Sequence, residues 1–274
     1  MSEFDIIIEP KKTIGHYWKE LWQYRELFYF FAWRDFKVQY KQTAIGVLWA
    51  VLRPLLTMIV LTVIFGKVAK LPSSGVPYPI LVFSAMLPWQ LFASSFTHSS
   101  NSIVENANMI SKIYFPRIII PSSAILVSFV DFVISFSILV IMMLYYGFYP
   151  DIKFLLLPLF IILAVMTSYG IGLWFSALNV KYRDIRYVVP FAVQFGLYIS
   201  PVGFSSDVIP EKWRLLYSLN PMVGVIDGFR WAVCGSVSEL YVPGFSLSVL
   251  ISFLILATGF LYFRKTERSF ADVI

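Results

Sequence analysis

The 274-residue sequence predicts an all-α integral membrane protein with six transmembrane helices and an N-terminal interfacial helix. Three observations carry that reading. Hydrophobic residues make up 58% of the chain and charged residues only 14%, against about 45–50% and about 25% in soluble domains. A mean hydropathy of +0.74 describes more apolar side chain than the interior of a soluble domain of this length can take in. Apolar stretches of about 18 residues or more, the length that crosses the hydrocarbon core as a helix, recur along the chain.

Residues 1–45 form an N-terminal arm, charged throughout, with no short apolar core and small-residue cleavage site of a secretory signal. The arm is therefore expected to stay cytoplasmic and intact. Within it Ile14, Trp18, Leu21 and Trp22 fall near one helical face, with Lys19, Glu20, Gln23 and Glu26 on the other. That pattern suits a helix lying along the membrane interface, where Trp and Tyr sit at headgroup level. It leads through the aromatic patch Leu27–Trp33 into a charged link, Arg34–Gln42.

Six spans follow within residues 46–263: Gly46–Gly66, Tyr78–Ser99, Ile118–Tyr146, Phe154–Leu178, Tyr187–Phe204 and Phe245–Phe263. The third exceeds one bilayer thickness and must tilt or project. Residues 264–274 form a charged tail. Orientation comes from Lys and Arg in the connections. The arm alone carries seven (Lys11, Lys12, Lys19, Arg25, Arg34, Lys37, Lys41), and Lys112, Arg117, Lys181, Arg183, Arg186, Arg264, Lys265 and Arg268 fall on the same side. Both termini are expected in the cytoplasm. On the outer side, the connection 205–244 holds an apolar piece, Asn220–Cys234, too short to span. It is either re-entrant and buried in protein or lies at the interface, because irregular backbone is not tolerated against lipid.

The chemistry of the chain is defined first by what its sequence lacks. No G-x-x-x-x-G-K-[ST] motif occurs, so no ATP phosphates are cradled here in the usual way, and the chain does not read as an enzyme. His16 and His98 stand far apart without metal-ligand spacing to other donors, so no metal site is expected. The net charge of +6 belongs to membrane flanks rather than to nucleic-acid binding. One cysteine, Cys234, allows no intrachain disulfide.

Two charges fall inside spans, where they are expensive and functional by default: Arg53 before Pro54, and Asp131 near the middle of the third span. Either Arg53 lines an aqueous path, or the two pair, or Arg53 snorkels to headgroups. Aromatic residues form stripes at helical spacing: Tyr187, Phe191, Phe195 and Tyr198 on the fifth span, Trp89, Phe92 and Phe96 on the second, and Trp49 one turn before Arg53. Aromatic faces would let sugar rings slide past without strong polar traps; ordinary helix packing is the alternative. Between the second and third spans, residues 101–117 are amphipathic and helix-compatible, a natural lever for a soluble motor.

Four segments resemble the ABC-2-type permeases that export lipid-linked O-antigen, capsular polysaccharide or teichoic acid. WRDFKVQYKQTAIGVLWAVLRPLL (Trp33–Leu56) is similar to that family's approach to the first span, and YFPR (Tyr114–Arg117), with Pro121 beyond, to its coupling region. SPVGFSSDVIPEKWRLLYSLNPMVGVIDGFRWAVCG (Ser200–Gly235) resembles its external loop and re-entrant hairpin, and FRKTERSFADVI its tail. The resemblance covers the chain from about Tyr24 onward. Arg53 departs from it, since an uncharged polar residue is commoner before that proline.

The resemblance implies a re-entrant external hairpin before the last span and a homodimer in the bacterial inner membrane. Two separate ATP-binding subunits would dock beneath and hold ATP and Mg, with a polyprenyl-linked polysaccharide as cargo and lipids around. It implies a pathway along the dimer interface, coupling through Glu105, Asn108, Lys112, Arg183 and Asp184, and an external gate at Pro221, Asp227 and Arg230. The alternatives are a capsule or teichoic acid exporter, an ABC-2 exporter of lipids or drugs, and a multi-span scaffold without transport.

Overall fold

The computed structural model describes residues 14–41, 46–72, 75–182, 184–235 and 240–270, and every regular element among them is helical. The arm is two helices, α1 (Ile14–Gln23) and α2 (Arg25–Lys41), joined at Tyr24. Tyr24 N–H still donates to the Glu20 carbonyl at 3.2 Å, so the break is a kink rather than a loop. The stretch expected as a charged link is instead the last half of α2. It holds no Gly or Pro to stop a helix, and Trp33, Phe36 and Tyr40 stack along one face, with ring centroids 5.7 and 4.8 Å apart.

α2 packs mainly along α6 (Ile119–Tyr145). The α1 end of the arm is docked on the last turns of α11 (Val242–Thr266): the buried Tyr17 meets Phe260 edge-on, and the Arg264 guanidinium lies over the Tyr17 ring. The arm and the end of the chain therefore lie at the same end of the bundle.

α3 (Gly46–Leu61) runs on through a π-helical turn, Thr62–Val68. It is scarcely covered by the rest of the chain: Leu48, Leu56, Ile59, Val60, Val63 and Ile64 are all exposed. α4 (Tyr78–Glu105) is the opposite case, the central post, buried along most of its length against α6, α7 (Leu157–Lys181) and α10 (Pro221–Cys234). α4 passes the expected end of its span and reaches Glu105, followed by a single turn, α5 (Ala107–Ile110). α7 is preceded by a 3₁₀ turn, Ile152–Leu156, whose first N–H is capped by the Asp151 carboxylate at 2.7 Å.

Among the described residues five helices are long and apolar enough to cross a membrane, so the chain is a multi-pass membrane protein. The fifth expected span, Tyr187–Phe204, is shorter than read from sequence: α8 is Ile185–Ile199, about 22 Å at 1.5 Å per residue. It stops because the residue before a proline is pushed out of the α region. Ser200, ahead of Pro201, has ψ 151°. Between α8 and α11 lie α9 (Glu211–Tyr217), largely exposed, and α10, buried among α4, α7 and α11. The piece too short to span thus has its backbone satisfied as a helix and its apolar surface covered by protein. α10 starts as local rules demand: the Asn220 side chain accepts from Met222 N–H at 3.1 Å and Pro221 fills the first position.

Candidate functional site

A cavity of about 730 Å³ lies between α2, α3, α4, α6 and α8. Its lining follows from helical spacing. Trp49, Arg53 and Thr57 recur every four residues on α3, Gln90, Ser94 and His98 do so on α4, and Ser128, Asp131 and Ser135 share a face of α6. Val193 and Leu197 of α8 close a further side, and Gln39 and Tyr40 of α2 contribute the rest of its polar wall. The result is one cation, one carboxylate, two indole faces and a set of neutral hydroxyls and amides around a space of small-molecule size.

The polar groups are partly organised among themselves. His98 Nδ1 lies 3.1 Å from Ser128 Oγ and 3.4 Å from Ser94 Oγ, and the two hydroxyls are 2.9 Å apart. His98 thus ties α4 to α6. Asp131 accepts from Gln39 Nε2 at 3.0 Å and from the Tyr40 hydroxyl. Burial first, then the bond to Asp131, raises the Tyr40 pKa well above the usual phenol range, so its hydroxyl stays the donor. Among the described residues no ion pair joins Asp131 to Arg53. The pairing weighed from sequence is replaced by two hydrogen bonds from the arm, whose polar residues Gln39 and Tyr40 had offered no periodic signal of their own.

Of the pathway candidates, Trp49, Arg53 and Trp89 meet in this cavity. Phe92 and Phe96 do not. They lie within the core, Phe92 packed between Trp89 and Phe96, with Phe175 against the Phe96 ring at 5.1 Å. Tyr187, Phe191, Phe195 and Tyr198 lie elsewhere again, on the outer face of α8, 72%, 67%, 56% and 67% exposed. Phe191 and Phe195 stack nearly parallel at 5.9 Å. α8 thus turns aliphatic side chains to the cavity and an aromatic band away from the rest of the chain.

At the end of the bundle that holds the arm, Glu105, Asn108 and Lys112 are exposed, as are Ile113 and Tyr114. Beneath them Ile103, Ile110 and Phe115 are buried, and Phe31 of α2 packs on Phe115 at 5.7 Å. Arg117 donates to the Glu267 carbonyl and lies over Phe270, which ties this segment to the tail. Asp184 is exposed ahead of α8; Arg183 lies outside the described residues.

At the other end, Pro221 opens α10. Arg230 is 2% exposed, donates to the Pro201 carbonyl at 2.6 Å and faces Asp227 at 3.6 Å. Burial pushes the Asp227 carboxyl up to about 6, against the opposing pull of Arg230. This pair staples α10 to the turn that follows α8. No group of three or more His, Cys, Asp or Glu side chains suited to a metal occurs among the described residues.

Comparison with known proteins agrees with this architecture. Residues 26–234 match the family described as ABC-2 type transporter. The chain is 31% identical over 248 residues to the O-antigen export system permease protein RfbA of Klebsiella pneumoniae, covering 88% of this chain and 92% of the relative. It is 26% identical over 215 residues to the RfbA protein of Myxococcus xanthus, covering 77% and 82%. It is 25% identical over 240 residues to the polysialic acid transport protein KpsM of Escherichia coli, covering 86% and 92%. A match across most of the chain, on a bundle of apolar helices around a polar and aromatic cavity, makes this multi-pass membrane protein a member of the ABC-2 type transporter family.

Proposed function

We propose that the chain is the permease subunit of an ATP-driven exporter that moves a lipid-linked, O-antigen-like polysaccharide outward across the bacterial inner membrane. In this reading two copies form the membrane unit, with both termini in the cytoplasm. Two separate ATP-binding subunits hold ATP and Mg and supply all the hydrolytic chemistry. The relatives' names favour a glycan as cargo. The polysialic acid relative supports the neighbouring reading of a capsule exporter, which differs in the sugar rather than in the physics.

The observation that carries the proposal is the position of the cavity beside two uncovered surfaces, the apolar face of α3 and the aromatic band of α8. Exposed patches of this extent call for lipid or a second protein surface. A second copy facing them would convert a one-sided cavity into a path walled by Trp49, Arg53, Trp89, Tyr187, Phe191, Phe195 and Tyr198. The exposed side chains Glu105, Asn108, Lys112, Ile113 and Tyr114, with Asp184 nearby in sequence to the end of α7, serve as the contact for the motor. The helix α10, held by Asp227 and Arg230, serves as the outer gate and as the re-entrant part of the membrane domain. ATP drives the cycle only through different affinities for the conformations of its own subunits.

Deletion of the gene, followed by mapping of polyprenyl-linked glycan, tests the proposal. Polymer should accumulate on the cytoplasmic leaflet and disappear from the surface. Normal surface glycan with no internal pool would overturn it, and a change confined to toxin sensitivity would point to a drug exporter.

A further inference from the structure

Asp131 stands about 18 Å along α6 from Ile119, at 1.5 Å per residue, deep in a span where a carboxylate is costly unless satisfied. Its partners come from outside the spans altogether. Gln39 and Tyr40 lie in the last turn of α2 in the arm, 92 and 91 residues away in sequence, and both also line the cavity. Nine residues earlier on the same helix, Phe31 is fully buried against Phe115, in the segment between α5 and α6. α2 is therefore a rod of about 13 Å between these two contacts, one end on the loop segment exposed to a motor and the other in the cavity wall. No Gly or Pro interrupts it.

We infer that Asp131 is a positioning residue: its carboxylate clasps the end of α2 through Tyr40 and Gln39, so that displacement of the 105–117 segment is transmitted along α2 to the cavity wall. This rests on the reading of the cavity as part of the export path. With the clasp closed, Tyr40 and Gln39 are held as wall. With it open, the end of α2 is free to leave the face of α6, and the cavity becomes more accessible from that side. The neutral hydrogen-bond donors make the clasp reversible without moving an unpaired donor charge through lipid.

The test uses the complete transporter with its ATP-binding subunits in inverted vesicles. A reporter cysteine is placed at Thr97, which lines the cavity, and a reference cysteine at the exposed Tyr182; the buried Cys234 stays in place and its labelling is subtracted. Labelling by a charged thiol reagent is timed without nucleotide. Tyr40→Phe and Asp131→Asn should each speed labelling at position 97 about fivefold, the scale set by one net hydrogen bond, with no change at position 182. The double variant should do no more than the faster single, because both remove the same clasp. Asp131→Glu should restore slow labelling at least in part.

Unchanged labelling at position 97 in both single variants overturns the inference, and so does an increase that multiplies in the double. Simple loss of packing would lower melting temperature and speed labelling at both positions, which also counts against it. Failure of the underlying pathway reading looks different. A bulky thiol adduct at position 97 would then leave export intact, even while Tyr40→Phe alters its labelling.

Discussion

A Cβ added to Gly259 of α11 would lie 2.2 Å from the carbonyl oxygen of Gly170 on α7, and one added to Gly170 would lie 2.7 Å from the backbone of Leu256. The two helices cross with backbones in contact, and Thr167 and Ser252 share a hydrogen bond of 2.8 Å one turn away. Membrane helices gain little from apolar burial against one another, so close packing through small residues and buried hydroxyls is what holds this pair.

Replacement of Gly259 by Ala should therefore force the helices apart. Overpacking of this kind costs about 1–3 kcal/mol, read as a lower melting temperature of the detergent-solubilised protein. Gly75, with φ 88° and no atom within 4 Å of an added Cβ, provides a comparison in which backbone strain acts without crowding. Gly259→Ala should also weaken export in proportion to the folded fraction only.

The aromatic band of α8 is largely free of contacts with the rest of the chain, so Phe191→Ala, Phe195→Ala and Tyr198→Ala together should leave the stability read from thermal melting within about 1 kcal/mol of the parent, as for surface sites. Export should fall at least tenfold, measured as surface glycan. Normal surface glycan would remove this band from the path.

Glu105→Ala and Lys112→Ala remove exposed charges from the segment proposed to meet the motor. Each should lower the number of glycans moved per ATP hydrolysed, while basal ATP turnover of the complex persists. Unaltered coupling in both would move the contact elsewhere on the protein.

Asp227 carries a pH signature. Its folded pKa is raised by burial from the ordinary 3.8 to about 6, so between these values the folded protein binds more protons than the unfolded chain. Stability must then fall as pH rises through that window and level off above it. The span is at most about 3 kcal/mol, from about 1.4 kcal/mol per pKa unit. Melting temperatures from pH 4 to 7.5 should show the decline in the parent protein. Asp227→Asn should remove this part of the slope, and an identical slope in the variant would show that another group causes it.

Much of the architecture was legible in the sequence because bilayer thickness imposes a length and an apolar composition on each span. The helices α4, α6, α7 and α11 coincide with stretches read from apolar runs alone. Their ends were less legible, since caps and neighbours decide them. α4 runs on to Glu105 because Ile103 has a buried site to fill, and α8 stops at Ile199 because Pro201 excludes the α conformation of Ser200. The candidate site divides the same way. Trp49 and Arg53, one turn apart, were readable as a face. That Phe92 and Phe96 turn into the core, while the similar band on α8 faces away from it, was not. Helical spacing states which residues share a side but not what stands opposite that side.

By itself, the sequence determined that this chain is a helical multi-pass protein with intramembrane charges at Arg53 and Asp131, because hydropathy and charge cost are properties of segments. Only the tertiary structure decided that Asp131 is held by Gln39 and Tyr40 rather than by Arg53, and that Arg230 is fastened to the Pro201 carbonyl. Those choices depend on which helices become neighbours, and partners brought within 3 Å from some ninety positions away leave no periodic trace along the chain.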